Sequence, residues 1–347
     1  MQTILTVYIV AFLLGFFTFF EDRKDRYTQF IFWSMIVVLI VCAGFRPIGV
    51  DFDSWNYVGL YQNAEGDIVE VTFWLLSTLI KATIDDVRAL FVIYAFITVL
   101  IQAYAIRKLA NDWLLALLML TSHYFIFQNM TQIRVAVSAS IFLCAIYWLS
   151  KGKRWIYLFL ICVAILFHYS AAMLLPLVFF SNKELTKKKR MILAAWIPAM
   201  YIFFFIGLDL IVSLPIPYVQ GRMAAYEKLK ETGLIGDDIN PFNTLFLFRL
   251  TIYYYVLLKY EHFKQFVPYL PVVLKVYCCS FCAFLGFSSL PVLAGRSSEL
   301  FGIVEIFIFI QLVNAFQPKA FSRLMVVLLA FALLSYDIFG AGLLRMI

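Results

Sequence analysis

The stretch KGKRWIYLFLICVAILFHYSAAMLLPLVFFSNKELTKKKR, residues 151–190, decides how this chain is threaded. It holds an apolar run, 155–181, between two basic clusters, Lys151-Gly-Lys-Arg154 and Lys187-Lys-Lys-Arg190. Short basic loops stay on the cytoplasmic side of a membrane. One uninterrupted helix through 155–180 would put the clusters on opposite sides. Two short helices with a tip near His168 and Tyr169 keep both inside. A helix of about 14 residues rises roughly 20 Å, so this reading expects His168 in the outer half of the membrane.

The rest of the chain supports a membrane reading. Of 347 residues 64% are hydrophobic and only 14% charged, with a mean hydropathy of +0.90. A soluble domain is about half apolar and about a quarter charged, and no soluble core could hide this much apolar surface. The predicted fold is an all-α polytopic integral membrane protein with about 11–12 transmembrane helices. The predicted spans are 3–20, 28–45, 87–106, 113–128, 132–150, 155–168, 169–181, 191–213, 244–260, 269–287, 299–316 and 322–344. Residues 70–83, Glu-Val-Thr-Phe-Trp-Leu-Leu-Ser-Thr-Leu-Ile-Lys-Ala-Thr, are too short to span comfortably and read as an interfacial or re-entrant helix. Met1–Phe20 lacks a basic n-region and a small-residue cleavage site, so it reads as a retained span.

No internal repeat or separate soluble domain is visible, so 1–347 reads as one transmembrane domain. With the basic loops inside, the outer face receives the 46–70 loop, 129–134, the His168 tip, the 214–243 loop and 288–299. The loops 46–70 and 214–243 are expected to shape a site there, the longer one as a lid. All six cysteines lie in or against apolar spans, which argues against a disulfide framework. Cys278-Cys279 and Cys282 have no His or acid near them within the span and read as buried apolar cysteines. The net charge of +7 sits in short loops, which fits topology rather than nucleic-acid binding. There is no Walker A motif, zinc-ligand spacing, GxSxG or cytoplasmic DxD-like site. No metal or other cofactor is expected.

Charges beside hydrocarbon are costly and mark function. Arg46, Asp51 and Asp53 follow directly on the second span. Arg134 lies in the first turn of an outside-starting helix, and Arg249 lies about one turn into another. Arg296 precedes Ser297-Ser298-Glu299, a predicted cap for the next helix. Guanidinium groups at helix N-termini make anion sites, and Arg binds phosphate oxygens bidentately. Any one of these arginines could instead be a headgroup anchor. As a set on the face where basic residues are depleted, they point to a functional anion site. Asp51 and Asp53 would share a face of an extended segment, one as base and the other orienting a sugar hydroxyl. Tyr57, Tyr61 and Trp55 suit stacking on sugar rings or an interfacial belt, and Arg222 falls in the long outer loop. His168 is the preferred histidine, with His123 in reserve. Glu305 lies roughly two turns below Arg296 and is expected to be its counter-ion.

These residues, in this order, resemble the Wzy/EpsG-type polysaccharide polymerases of bacterial envelopes. The features are Phe45-Arg46, Gly49-Val-Asp51-Phe-Asp53 and Tyr57, then Gln132-Ile-Arg134-Val-Ala136, Phe167-His168-Tyr-Ser170-Ala171 and Ala294-Gly-Arg296. One departure is Asp51-Phe-Asp53, where relatives often show a Gly-x-Asp-Tyr-like run, so which aspartate matches stays open. The resemblance implies a GT-C-like glycosyltransferase of the bacterial cytoplasmic (inner) membrane, with its active site on the periplasmic face. It would polymerise undecaprenyl-pyrophosphate-linked oligosaccharide repeats into O-antigen, the polymer of lipopolysaccharide, or a related exopolysaccharide. Its donor and acceptor would both be undecaprenyl-pyrophosphate-linked, and a chain-length regulator and a flippase would be further partners. Arg134, Arg296, Arg46 and Arg249 would hold pyrophosphate, with Tyr57 and Arg222 toward the sugar. His168 or Asp51 would act as base and Asp53 would orient the acceptor. A lipid-linked oligosaccharide flippase, another transporter, a polysaccharide ligase and an acyltransferase stay open as alternatives. The gathering of ionisable groups at one edge, without midplane sites or repeats, favours the enzyme over a transporter.

Overall fold

A computed structural model of the chain describes residues 2–63, 70–213, 239–288 and 290–345, with side chains omitted at 207–213. Arg222 and most of the 214–243 loop lie outside the described residues. The protein is an all-α, multi-pass membrane protein, with no β-strand among the described residues. It divides into two compact units, Met1–Phe179 with Ile306–Ile347, and Phe180–Glu305.

The first unit is built from α1 (Gln2–Phe17), α2 (Arg26–Gly44), α3 (Ser54–Gln62), α4 (Val71–Thr83), α5 (Val87–Leu109), α6 (Trp113–Ser122), α7 (Ile133–Ser150) and α8 (Arg154–Phe167). At its centre lies α7, packed against α5 and α8. Small residues on α7 (Ala136, Ser138, Ala139, Ser140 and Ala145) are all buried, and they let neighbouring backbones approach where lipid supplies no hydrophobic drive. The Ser138 hydroxyl donates to the Ala164 carbonyl of α8 at 2.8 Å. Gly44 at the end of α2 meets Val92 of α5 so closely that a Cβ would lie 3.0 Å from the Val92 Cα.

The 151–190 reading is met in geometry. After α8 the chain turns at His168, whose backbone is extended (φ −157°, ψ 123°), into a 3₁₀ helix, Tyr169–Phe179. Pro176 within it lacks the amide an α-helical bond would need. The Tyr157 hydroxyl donates to the Leu174 carbonyl at 2.6 Å, so the two short helices fold back on each other with His168 at the turn.

Among the described residues, six helices are long and apolar enough to cross a bilayer by length and composition. The predicted span 299–316 is instead a bent pair, Pro291–Gly302 and Glu305–Asn314. The remaining five predicted spans coincide with shorter apolar helices, and the short helix expected at 70–83 is α4. The span predicted at 113–128 ends as α6 at Ser122 and passes into a π-helical turn, Phe125–Thr131.

The second unit contains α9 (Lys187–Ser213), α10 (Thr244–Leu258), α11 (Tyr260–Phe263), α12 (Leu270–Gly286) and α13 (Pro291–Gly302). Its core is aromatic: Phe246 stacks on Phe284 at 4.7 Å, and Tyr277 lies 4.7 Å from Phe281. All six cysteines are free. Among the described residues no three His, Cys, Asp or Glu side chains come together as a metal site.

Candidate active site

Pro47-Ile-Gly49 turns the chain out of α2, and Gly49 takes φ +91°, where a side chain would be strained. A Cβ there would also lie 2.7 Å from Trp55 Nε1. The turn brings Arg46 back onto Asp51. Arg46 Nε donates to Asp51 Oδ2 at 2.9 Å, and Arg46 Nη1 donates to the Ala43 carbonyl at 2.6 Å. The guanidinium carbon lies 4.5 Å from the Phe91 ring centroid. Asp51 Oδ1 accepts from the amides of Asp53 (3.0 Å) and Ser54 (2.8 Å).

Arg46 is 5% exposed and Asp51 is fully buried, so the pair clamps the loop and starts α3. Two expectations change here. Asp51 is closed off from solvent with both oxygens engaged, which does not suit a base, and the Arg46 charge is paired inside the fold rather than offered to a pyrophosphate. Nor do Asp51 and Asp53 share an extended face. Asp53 sits in the helical region at the N-cap of α3 (φ −103°, ψ −11°), half-buried, because Asp51 folds the segment into a turn. Tyr57 is also buried, with its ring against Phe73 and Phe91 at 6.1 and 6.3 Å. It is therefore no stacking platform, whereas Trp55, 60% exposed, presents its indole outward.

The chemistry gathers on a residue that the sequence reading did not single out, Glu70. It precedes α4 with extended backbone (φ −63°, ψ 144°), yet its side chain does not cap that helix. Instead Oε1 lies 2.6 Å from His168 Nδ1 and Oε2 accepts from Arg134 Nη1. Glu70 is buried, while the side chains of His168 and Arg134 are 14% and 20% exposed. Thr72 fixes the approach of α4 by donating to the Leu166 carbonyl at 2.8 Å, two residues before His168. Rings of Tyr57 (5.5 Å) and Phe73 (5.4 Å) flank the Arg134 guanidinium.

Burial works to raise the Glu70 carboxyl, but the His168 hydrogen bond and the Arg134 charge outweigh it and hold it below the usual carboxylate range. Burial pushes the Tyr57 phenol up to about 12, against the pull of Arg134. A signal for Glu70 existed in the sequence. It is the last acid before an apolar helix, and a carboxylate beside hydrocarbon needs a partner.

The second unit holds the other two arginines. Arg249 pairs with Glu299 Oε1 at 2.9 Å and Glu305 Oε1 at 3.0 Å, and the Tyr277 hydroxyl donates to Glu305 Oε2 at 2.7 Å. One cation against two carboxylates is a poor reception for pyrophosphate, which corrects the expectation for Arg249. Glu305, expected beneath Arg296, is thus a partner of Arg249. Nor does Arg296 sit at a helix start. Its helix begins at Pro291, where proline's missing amide costs nothing. Ser297, the predicted cap, is buried and donates to the Leu293 carbonyl at 2.6 Å. Arg296 is an exposed side chain on the body of α13.

Of the predicted set, the first unit therefore joins His168 to Arg134 through Glu70. Asp53 is left half-buried at the start of α3, and Arg46, Asp51 and Tyr57 are drawn into support. His123, the reserve histidine, is a buried ion-pair partner of Asp337 at 2.6 Å. No curated protein matches the chain, and neither does any solved structure. The model of the EpsG family matches residues 30–341, nearly the whole chain and all of the site. The chain belongs to the EpsG family, a family of polysaccharide polymerase-type membrane proteins.

Proposed function

We propose that the protein is a GT-C-like membrane glycosyltransferase. It polymerises undecaprenyl-pyrophosphate-linked oligosaccharide repeats into O-antigen or a related surface polysaccharide on the outer face of the cytoplasmic membrane. The observation that carries this reading is the meeting of His168 and Arg134 on one buried carboxylate. An imidazole and a guanidinium at one place suit transfer from a pyrophosphate. The acceptor hydroxyl oxygen attacks the anomeric carbon of the growing glycan, and the bond from that carbon to the pyrophosphate oxygen breaks. The hydroxyl proton passes to His168 Nε2. Charge that develops on the departing undecaprenyl pyrophosphate is met by Arg134, a fixed cation that needs no reorganisation during the step. Pyrophosphate is a good leaving group, so positive charge serves it better than an acid.

Asp53 orients the acceptor and Trp55 offers its exposed face to a sugar ring. Arg46 and Asp51 hold the loop that carries them. The test is disruption of the gene followed by glycan gel analysis and complementation. Loss of a polymerase leaves a single capped repeat on the surface, loss of a ligase leaves none attached, and loss of a flippase traps repeats inside. Complementation with Arg134→Ala or His168→Ala is expected to leave the single repeat. Long-chain glycan from both variants would overturn the assignment.

A further inference from the structure

Glu70 touches both groups of the proposed chemistry, and its two oxygens are divided between them. Arg134 can only donate. An oxygen at Nδ1 requires the imidazole to carry its proton there, which leaves the lone pair on Nε2. We propose that Glu70 is a positioning residue that fixes His168 as an Nε2 base and serves as the exchangeable counter-ion of Arg134, yielding that guanidinium to the donor's pyrophosphate. The proposal rests on the polymerase reading of the same site. Its physical basis is that only a carboxylate can accept from both partners. A glutamine in its place keeps its oxygen toward Arg134, because an amide N–H facing a guanidinium is repelled. Its NH2 then donates to Nδ1 and forces the proton onto Nε2, the wrong tautomer for a base. His168 meets Glu70 directly; Arg134 reaches it through Glu70, Tyr57 flanks that guanidinium, and Tyr94 packs on Phe167 beside it.

The experiment is steady-state polymerisation by the purified full chain in lipid vesicles. A synthetic undecaprenyl-pyrophosphate-linked repeat serves as donor and acceptor, and rates are normalised to folded protein. Glu70→Gln is expected to lower kcat by about 10²–10⁴-fold. KM for the lipid-linked repeat should not rise, because the donor no longer competes with Glu70 for Arg134. Glu70→Asp, shorter by one methylene but still able to accept from both sides, is expected to recover part of the rate, and it carries the test if Glu70→Gln yields no folded protein. A merely structural role would raise KM and give no rescue by aspartate.

A Glu70→Gln enzyme with wild-type kcat would overturn the proposal. His168→Ala and Arg134→Ala in the same assay separate the two readings. If both keep wild-type turnover, the polymerase site itself is wrong. If both are inactive while Glu70→Gln is unimpaired, only the role of Glu70 falls.

Discussion

The two ends of the first unit use the same residue types for opposite purposes. At the end where α1 closes and α6 and the helix α14 (Lys319–Ser335) begin, side chains answer backbone. Arg323 donates to the Thr18 carbonyl and pairs with Asp112 at 2.6 Å. Glu21 accepts from the Leu114 amide at 3.0 Å, and Arg23 donates to the Ala110 carbonyl at 3.3 Å. These bonds satisfy the orphan groups that every helix terminus leaves. At the other end, Glu70 leaves its own helix uncapped and binds His168 and Arg134 instead. The difference separates a scaffold from a site: at the first end the charged side chains close backbone groups, whereas at the second one carboxylate is shared between an imidazole and a guanidinium.

The largest expected effect tests that contrast directly. His168→Ala and Arg134→Ala should each lower polymerisation per folded molecule by about 10²–10⁴-fold. Arg323→Ala, at the opposite end, should lower folded yield while leaving turnover per folded molecule nearly intact. An Arg323→Ala enzyme that folds normally but turns over as slowly as His168→Ala would break the distinction.

Next in size is the Arg46–Asp51 clamp, which lies at the site end but behaves like scaffold. Leaving one buried charge unpaired costs about 3–5 kcal/mol. Asp51→Ala should therefore lower thermal stability strongly, and Arg46→Met combined with Asp51→Leu should restore part of it. Thermal unfolding in detergent reads both, and a double variant no more stable than the single one would contradict the clamp. Smaller still is Trp55→Ala. Removal of an exposed stacking face worth about 0.5–1.5 kcal/mol should raise KM for the repeat several-fold without altering the melting temperature.

The smallest effect is a difference in pH response between the ends. Burial raises the Glu21 carboxyl to about 7 from 4.5. The folded state therefore holds a proton that the unfolded chain has released, and this contribution to stability fades as pH rises from about 4.5 through 7. Glu70 is shifted down, so its contribution is present above the ordinary carboxylate range and is lost as pH falls through its folded value. Glu21→Gln should narrow the stability gap between pH 5 and pH 8, whereas Glu70→Gln should flatten the loss in acid. Melting curves at pH 5 and pH 8 check Glu21, and curves taken from about pH 5 down to about pH 3 check Glu70.

Much of this arrangement is local and therefore legible in a linear reading. Hydropathy and composition determine that the chain belongs in a bilayer, because no soluble core could bury that apolar surface. Two basic clusters flanking 155–181 require the turn at His168, since short basic loops remain on one side of a membrane. Arg134 follows from its place at the start of α7. The errors lie where a neighbour distant in sequence decides. Ser297 reads as a cap until Pro291 is seen to start the helix. Asp51 and Asp53 read as one face until Arg46 folds the segment inward. Tyr57 reads as a stacking ring until Phe73 and Phe91 close over it. Glu70 lies 98 positions from His168 and 64 from Arg134, and no periodicity links residues so far apart. The sequence by itself determined the membrane and the turn at His168. Tertiary structure alone decided which charges hold the fold and which one meets His168, because that depends on how α4, α7 and α8 pack together.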